Sequence, residues 1–463
     1  MLEKLKHGVG RLLGYDAVED VGKRKQRRIS VKSEDRELDP NSYRRQLVSS
    51  GRDLVRNSCA ANWACRTHTA HVCNLTFHSR TGQPDLDKRI EELYHWWADR
   101  PQNCDVACRH SLPEIYHLLE ERAVVDGDCG LLKLADGRIQ AVEGDRISDA
   151  AIAPTDAQRS KTFYNGVQVD DAGRPIAYNI CKRQFDSLAF ERAVPAWQLL
   201  LHGYFTRFDQ LRGITPLAPA LNTFADAYEA TNFTLAKMKQ SALFGLSIFR
   251  EGSGDLGEDT DGGYNIDLSK GPFVADMEPG DRMEWLESKS PSSEFAAFYK
   301  TVISLALKSL YIPACFFNDG DSNYSEQRSK MQMWQVWVES RRNVLRQTLN
   351  NLVAWRLGLF VQDKALVLPK GWTLDHLKWE FVGAGLPWLN PVDEVKAATA
   401  AIAAGITSPQ RVCKQIGEDA GEILAEIAQW NIDRQALGVP APVYGVLGTP
   451  QPIPSPDRVM YLD

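Results

Sequence analysis

The sequence contains no apolar run long enough to cross a bilayer. Its longest, Val194 to Leu201 and Ala400 to Ile406, fall far short of the roughly 20 residues a membrane helix needs. It also lacks an N-terminal apolar segment with a small-residue cleavage site, because Met1 to Tyr15 scatters Lys4, Lys6 and Arg11 among a few leucines. Both absences predict a soluble chain that is not secreted and has no membrane partner. No GxxxxGK(S/T) phosphate loop, GxGxxG fingerprint, GxSxG elbow or HExxH pair occurs. A surplus of positive charge is missing too. Lys and Arg number 54 against 60 Asp and Glu, a formal net charge of −6 with a pI near 5.9. That balance excludes tight gripping of phosphates, so any contact with nucleic acid must be weak.

The nine cysteines, Cys59, Cys65, Cys73, Cys104, Cys108, Cys129, Cys181, Cys315 and Cys413, are odd in number and lack the regular spacing of a disulfide framework. They read as reduced thiols. Cys104, Cys108 and His110 form the tightest group, which could open a zinc site, but no second CxxC or HxxxH pair accompanies it. Buried or incidental cysteines are preferred, and no metal or cofactor is expected. For acid/base work the best pair is His202 with Asp209, seven residues apart across an expected loop, where a structural role is favoured. No catalytic residue is therefore assigned.

What is present is ordinary globular composition, 43% hydrophobic and 25% charged, in a chain long enough for two or three domains. Residues 1–40 read as a flexible arm. Its basic run, Lys23-Arg24-Lys25-Gln26-Arg27-Arg28, is either a solvated segment or a contact for DNA or an acidic partner. Helical character extends from Asn41-Ser42 to about Ser79. It resumes over Asp85 to Arg100, where Ile90, Leu93, Tyr94 and Trp97 recur at helical spacing, and over Ser111 to Val125. Hairpins are expected for Leu131–Leu134 with Ile139–Val142, and for Gly166–Val169 with Pro175–Ile180. The fold class is α+β, predominantly helical.

From Pro216 to Ala242, Leu217, Leu221, Phe224, Tyr228, Thr231, Leu235, Met238 and Ala242 alternate steps of four and three. The repeat predicts a helix of roughly 40 Å with Pro216 in its first turn, standing apart or buried within one domain. A Gly- and Asp-rich break, Gly252 to Gly263, and strand-like pieces up to Trp285 follow. A second helix then opens near Pro291-Ser292, with Phe295, Phe298, Val302, Leu305 and Leu310 on its apolar side. The polar loop Asn318 to Asn323 offers Asp319, Asp321 and Asn323 as the first ligands of a calcium loop. Tyr324 stands where glycine is required and Lys330 where the bidentate glutamate belongs, so the test fails. Asn323 with Glu326 reads instead as a capping box for a helix over Ser325 to Leu357. In its stripe of Met331, Trp334, Val338, Leu345, Leu349 and Leu352, Arg341 and Arg342 interrupt the apolar face. They either snorkel, the favoured reading, or meet a charged neighbour or a lumen. Two shorter helices, Asp393–Ala404 and Ser408–Asn431, precede a proline-rich end.

The run Val194-Pro195-Ala196 to His202, followed by Gln210-Leu211-Arg212-Gly213-Ile214-Thr215-Pro216-Leu217-Ala218-Pro219, resembles the portal proteins of lambda-type tailed phages. Further matches follow in order: Gly166-Val167 to Tyr178, Pro279-Gly280, Ile312-Pro313, Asn323-Tyr324-Ser325 with Arg328, and Trp388-Leu389-Asn390-Pro391 leading to Gly405-Ile406-Thr407. The likeness covers about residues 40 to 430. Asn390 departs from the family's usual Asp, and Ser325-Glu326 from its serine pair.

The resemblance implies a non-enzymatic, dodecameric ring at a capsid vertex that conducts double-stranded DNA. Its named regions fall as follows: arm 1–40, wing 41–215, stem helix 216–243, clip 244–291, second stem helix 292–310, tunnel loop 311–324, long wing helix and return strands 325–391, crown 392–435 and tail 436–463. It implies DNA contact at Asn318, Asp319, Asp321, Ser322, Asn323 and Tyr324, and stem positives at Lys237, Lys239, Lys300 and Lys308 that could face the channel. The clip, through Glu251, Asp255, Glu258, Asp259 and Asp261, would dock the terminase large subunit and then a head-completion or adaptor protein. Major capsid and scaffolding proteins complete the expected partners, with assembly in the host cytoplasm. Another head-tail connector component and a DNA-processing enzyme are the competing readings.

Overall fold

The computed structural model describes residues 41–149, 163–184, 187–243, 246–250, 281–285, 293–317, 324–385 and 390–439. In chain order come α1 (Asn41–Asn57), α2 (Cys59–Val72), β1 (Leu75–Ser79), α3 (Pro84–Ala98), the single turn α4 (Pro101–Cys104) and α5 (Leu112–Asp126). Next are β2 (Asp128–Lys133), β3 (Ile139–Glu143), β4 (Val167–Val169), β5 (Pro175–Gln184), β6 (Ser187–Pro195) and β7 (Leu199–Gly203). Then follow α6 (Leu221–Leu243), β8 (Leu246–Arg250), β9 (Asp281–Trp285), α7 (Ser293–Leu307) and α8 (Tyr324–Gln362). The last are β10 (Trp379–Gly383), α9 (Pro391–Ala403), α10 (Pro409–Ile416) and α11 (Ala420–Ala436). No described helix is long and apolar enough to cross a membrane.

Local signals fix several of these ends. Ser111 and Glu114 form a reciprocal capping box at the start of α5, and Gly127, at φ 95°, ends it. β2 then runs between β3 and β7, pairing Leu131 with Ala141 on one side and with Leu200 on the other, all antiparallel. A second antiparallel sheet, β4-β5-β6, holds the expected hairpin of Gly166–Val169 with Pro175–Ile180, with Val167 opposite Tyr178, and β8 pairs with β9. The main core lies between α2, α3, α5 and α8. Trp97 is fully buried and its indole donates to the Gly137 carbonyl at 3.0 Å, and Leu345, Leu349 and Leu352 of α8 are buried in the same core.

The structure corrects several expectations. Residues 75–79 form a strand, not the end of a helix. Leu75 and Phe77 point into the core from β1, which pairs with β10, a partner too distant in sequence for any local pattern to reveal. The first long helix starts at Leu221, so Pro216 sits in the preceding turns. Its repeat is buried only at the start, at Leu217 and Phe224, whereas Tyr228, Leu235 and Met238 are exposed. On α7 the buried side is Ile303, Ala306 and Leu307, continued by the expected Leu310 on the 3-10 turn that follows, while Phe298 and Leu305 face solvent. The expected helix 408–431 is two helices, because Gly417 takes the left-handed conformation at φ 85° where its backbone lies against Ala384 and Gly385.

The body is locked around Asp128, whose side chain is wholly buried at the head of β2. Arg212 donates to both its oxygens, at 2.8 and 2.7 Å, Arg44 to one at 2.7 Å, and the Gly213 N–H to the other at 2.6 Å. Burial opposes ionisation, but the two guanidiniums outweigh it and hold the carboxyl below its ordinary value. Arg212 also donates to the carbonyls of Gly144 and Asn165 at 2.6 Å and of Ile147, and Arg44 to that of Gly213. Here Gly127 and Gly213 pass backbone to backbone. A Cβ on Gly213 would lie 2.1 Å from the Gly127 oxygen.

Gly213→Ala is therefore expected to cost about 3 kcal/mol or more in thermal or denaturant unfolding, against about 1 kcal/mol for Gly173→Ala, in an open turn. Equal losses would show that the close approach has no energetic consequence.

Candidate functional site

A second buried charge cluster resembles an acid/base site. Glu120 of α5 receives both arms of Arg341 from α8, at 2.7 and 2.8 Å. His202 Nε2 lies 2.8 Å from one Glu120 oxygen, and His68 Nε2 3.0 Å from the other, which also accepts the Tyr204 hydroxyl proton at 2.9 Å. His202 Nδ1 is 3.0 Å from the Thr348 hydroxyl, and the Arg341 guanidinium stacks 3.7 Å over the Tyr204 ring. Burial disfavours the Glu120 charge, yet Arg341 and the surrounding hydrogen bonds hold the carboxyl well below its usual range. Burial pushes the His202 ring below its ordinary value despite its bond to Glu120, and so favours the neutral form.

The side chains of Glu120, His68 and His202 have no solvent exposure, so no substrate reaches them. The cluster's role is to fasten α8 to α2, α5 and β7. It corrects two expectations. His202 takes Glu120 as its carboxylate partner, while Asp209 lies on an exposed turn. Arg341 does not snorkel, and Arg342 is buried as well, donating to the His71 carbonyl at 2.6 Å. Cys104 is buried and Cys108 exposed, and no group of His, Cys, Asp and Glu suited to a metal occurs among the described residues.

The surfaces expected to meet DNA are placed only in part. Lys237 and Lys239 are exposed on α6, Lys300 on α7, and Lys308 on the 3-10 turn that follows it. Asn318, Asp319, Asp321, Ser322 and Asn323, and the acidic residues Glu251, Asp255, Glu258, Asp259 and Asp261, lie outside the described residues; so does the Asn323 cap. Tyr324 opens α8. The described segment that precedes residue 318 is held by aromatic rings that sequence reasoning did not group. Tyr311 stacks on Trp337 at 3.9 Å, Phe316 meets Trp334 edge-on at 4.9 Å, and Phe317 meets Trp63 at 5.7 Å.

Helices α9 to α11 contrast with this body. Among their described residues only Arg434 is buried. They are tied down by ion pairs, Arg80 with Asp419 of the α11 cap, Lys414 with Glu380 at 2.6 Å and Arg328 with Glu394 at 3.6 Å, and by a polar contact of His78 Nδ1 with Glu422 at 3.1 Å. A cleft of about 1130 Å³ separates α9 and α10 from α8.

Glu120→Gln should destabilise the protein by about 3–5 kcal/mol, since it leaves Arg341 buried without a counter-charge; the pair Glu120→Leu with Arg341→Met should lose much less. The sign of the pH effect follows from His202. The unfolded ring binds a proton near pH 6.5 and the folded ring only lower, so stability is complete above about 6.5 and falls as pH drops below it. His202→Gln should flatten that part of a calorimetric Tm profile, and a wild-type slope in the variant would remove His202 from the account.

Residues 22–342 match the family model described as phage portal protein, lambda family. The chain is similar to the probable portal protein of Halomonas phage phiHAP-1, with 22% identity over 391 residues, covering 78% of this chain and 73% of that protein. Among solved structures it is similar to one titled as the neck of an empty GTA particle computed with C6 symmetry (13% identity, 86% of this chain, 94% of that chain, TM-score 0.49). Another is titled as the virion of a native gene transfer agent particle (11% identity, 92% and 99% covered, TM-score 0.49). With well over half its length matched by that family model, the chain belongs to the lambda family of phage portal proteins, a structural head-tail connector component of the virion and not an enzyme.

Proposed function

We propose that this chain closes into a dodecameric ring at the capsid vertex, through which double-stranded DNA is packaged and later ejected. The observation that carries the reading, beside family membership, is the helix pair α6 and α7 with its unpartnered apolar side chains. In a single subunit Phe233 is 72% exposed and Phe298 59%, with Tyr228, Leu235 and Leu305 about half exposed. So much apolar surface on paired helices suits burial against a neighbouring copy. In this reading 41–215 is the wing, 216–243 and 292–310 the stem, 244–291 the clip, 311–324 the tunnel loop, 325–391 the long wing helix and return strands, and 392–435 the crown.

DNA slides past the loop Asn318 to Tyr324, where acidic and neutral side chains repel or ignore phosphates, while Lys237, Lys239, Lys300 and Lys308 are the candidate channel-facing positives of the stem. Aromatic contacts of Tyr311 with Trp337 and of Phe316 with Trp334 anchor the segment that leads into that loop. The clip acids Glu251 to Asp261 dock the terminase large subunit during packaging and a head-completion protein afterwards. Capsid and scaffolding proteins meet the ring during assembly in the host cytoplasm.

Negative-stain microscopy of the purified protein should reveal rings with a central hole, and monomers carrying nuclease activity would overturn the proposal. Phe233→Asp should yield folded subunits that fail to close rings, read by light scattering. Replacing Asp319 and Asp321 with lysine should slow packaging through phosphate friction, and unaltered packaging would count against the loop's role.

A further inference from the structure

A cavity of about 490 Å³ lies between α1 and the sheet edges, and one face of α1 supplies much of its wall. Arg45, Ser49, Arg52 and Arg56 follow one another at helical spacing along that face. Three of the cavity's guanidiniums are already spent, Arg44 on Asp128. Arg52 holds Asp126 at 2.5 and 2.8 Å, and Arg183, on the opposite wall, holds Asp145 at 2.7 Å. Arg45 and Arg56 differ: both are exposed, and neither has an acidic partner among the described residues. They stand eleven residues apart on the helix, about 16 Å along its axis.

Residues 1–40 lead directly into this helix, and the last of them are Glu34-Asp35-Arg36-Glu37-Leu38-Asp39-Pro40. In an extended segment Asp35, Glu37 and Asp39 share one face, with carboxylates spaced about 6.6 Å apart. The stretch thus covers nearly the distance between Arg45 and Arg56. Pro40, which disfavours helix in the residue before it, stands where the chain would have to turn back. We propose that the acidic segment Glu34–Asp39 folds back into this cavity of its own subunit and pairs with Arg45 and Arg56. The docked segment then holds Arg28, the near end of the basic run Lys23–Arg28, within about 20 Å of the cavity mouth and Lys23 within about 40 Å, as a tethered element rather than a free arm.

A zero-length carbodiimide crosslink tests the placement. In the full chain with Arg45→Lys and Arg56→Lys, the introduced amines should join Glu34–Asp39 in low salt and lose those links in about 1 M salt. Links confined to neighbours already in the fold, such as Asp53 or Asp145, would overturn it. So would links between isotopically distinct copies, which would assign the segment to a neighbouring subunit.

A second measurement reads docking without crosslinking. Arg45→Glu with Arg56→Glu should raise cleavage after Glu34 and Glu37 by a glutamate-specific protease about tenfold, and adding Asp35→Lys with Asp39→Lys should restore slow cleavage. If the two arginines serve duplex DNA instead, their reversal will weaken retention on DNA at an unchanged cleavage rate, and the proposal fails.

Discussion

A carboxylate without access to water has to be neutralised or surrounded by donors, and Asp128 satisfies that constraint by recruiting segments from distant parts of the chain. Arg44 comes from the first described helix, and Arg212 and Gly213 from the approach to α6. The same guanidinium that grips Asp128 satisfies backbone carbonyls of the loops around β3 and β4. The direction in which α6 leaves the body is therefore set by one buried charge and by two glycines whose backbones touch. The Gln210 to Pro216 motif acquires a physical reason. Gln210 donates to the carbonyls of Tyr204 and Arg212, and the Thr215 hydroxyl donates to Val124, so the motif is a buckle built almost wholly of polar groups.

Glu120 plays the corresponding part for α8, a helix of 39 residues and about 58 Å. Its histidines, tyrosine and arginine have the composition of a catalytic centre but none of the access. Complete burial turns the same groups into a fastener, which explains how a chain with well-formed acid/base geometry can serve as a structural part. The Asp128 cluster pins the approach to α6 and the Glu120 cluster grips α8 near its middle, at Arg341, while α6 and α7 carry exposed apolar side chains.

Where the signal was local, the sequence was legible. The capping box at Ser111, the helical spacing of Ile90, Leu93, Tyr94 and Trp97, and both hairpin turns lie within a few residues of the structure they specify. Illegible were the features made by distant partners: β1 against β10, the break at Gly417 against Gly385, and the pairing of Glu120 with Arg341. A trace of the last was present. Glu120 follows Tyr116 by four residues on the face of α5 that carries Ile115, Leu119 and Ala123, so a carboxylate stood in register with the core. Arg341 interrupted the α8 stripe in the same way, and two such interruptions of opposite sign are a hint that they meet. The acidic residues assigned to docking fall outside the described residues, and the lysines of α6 and α7 are placed only as exposed.

Two kinds of attachment coexist in this subunit, and they answer to different variables. Buried pairs such as Arg212–Asp128 lie out of reach of counterions, so the body is governed by temperature and proton activity. Helices α9 to α11 rest mostly on partly exposed pairs, Lys414–Glu380 and Arg328–Glu394 among them, and on a close glycine contact. At an ionic strength where the Debye length is about 8 Å those pairs are already weakened, and a concentrated polyelectrolyte nearby would change their surroundings again. Among the described residues, the 391–439 segment is thus the one whose hold on the body responds most to the composition of the solution around it.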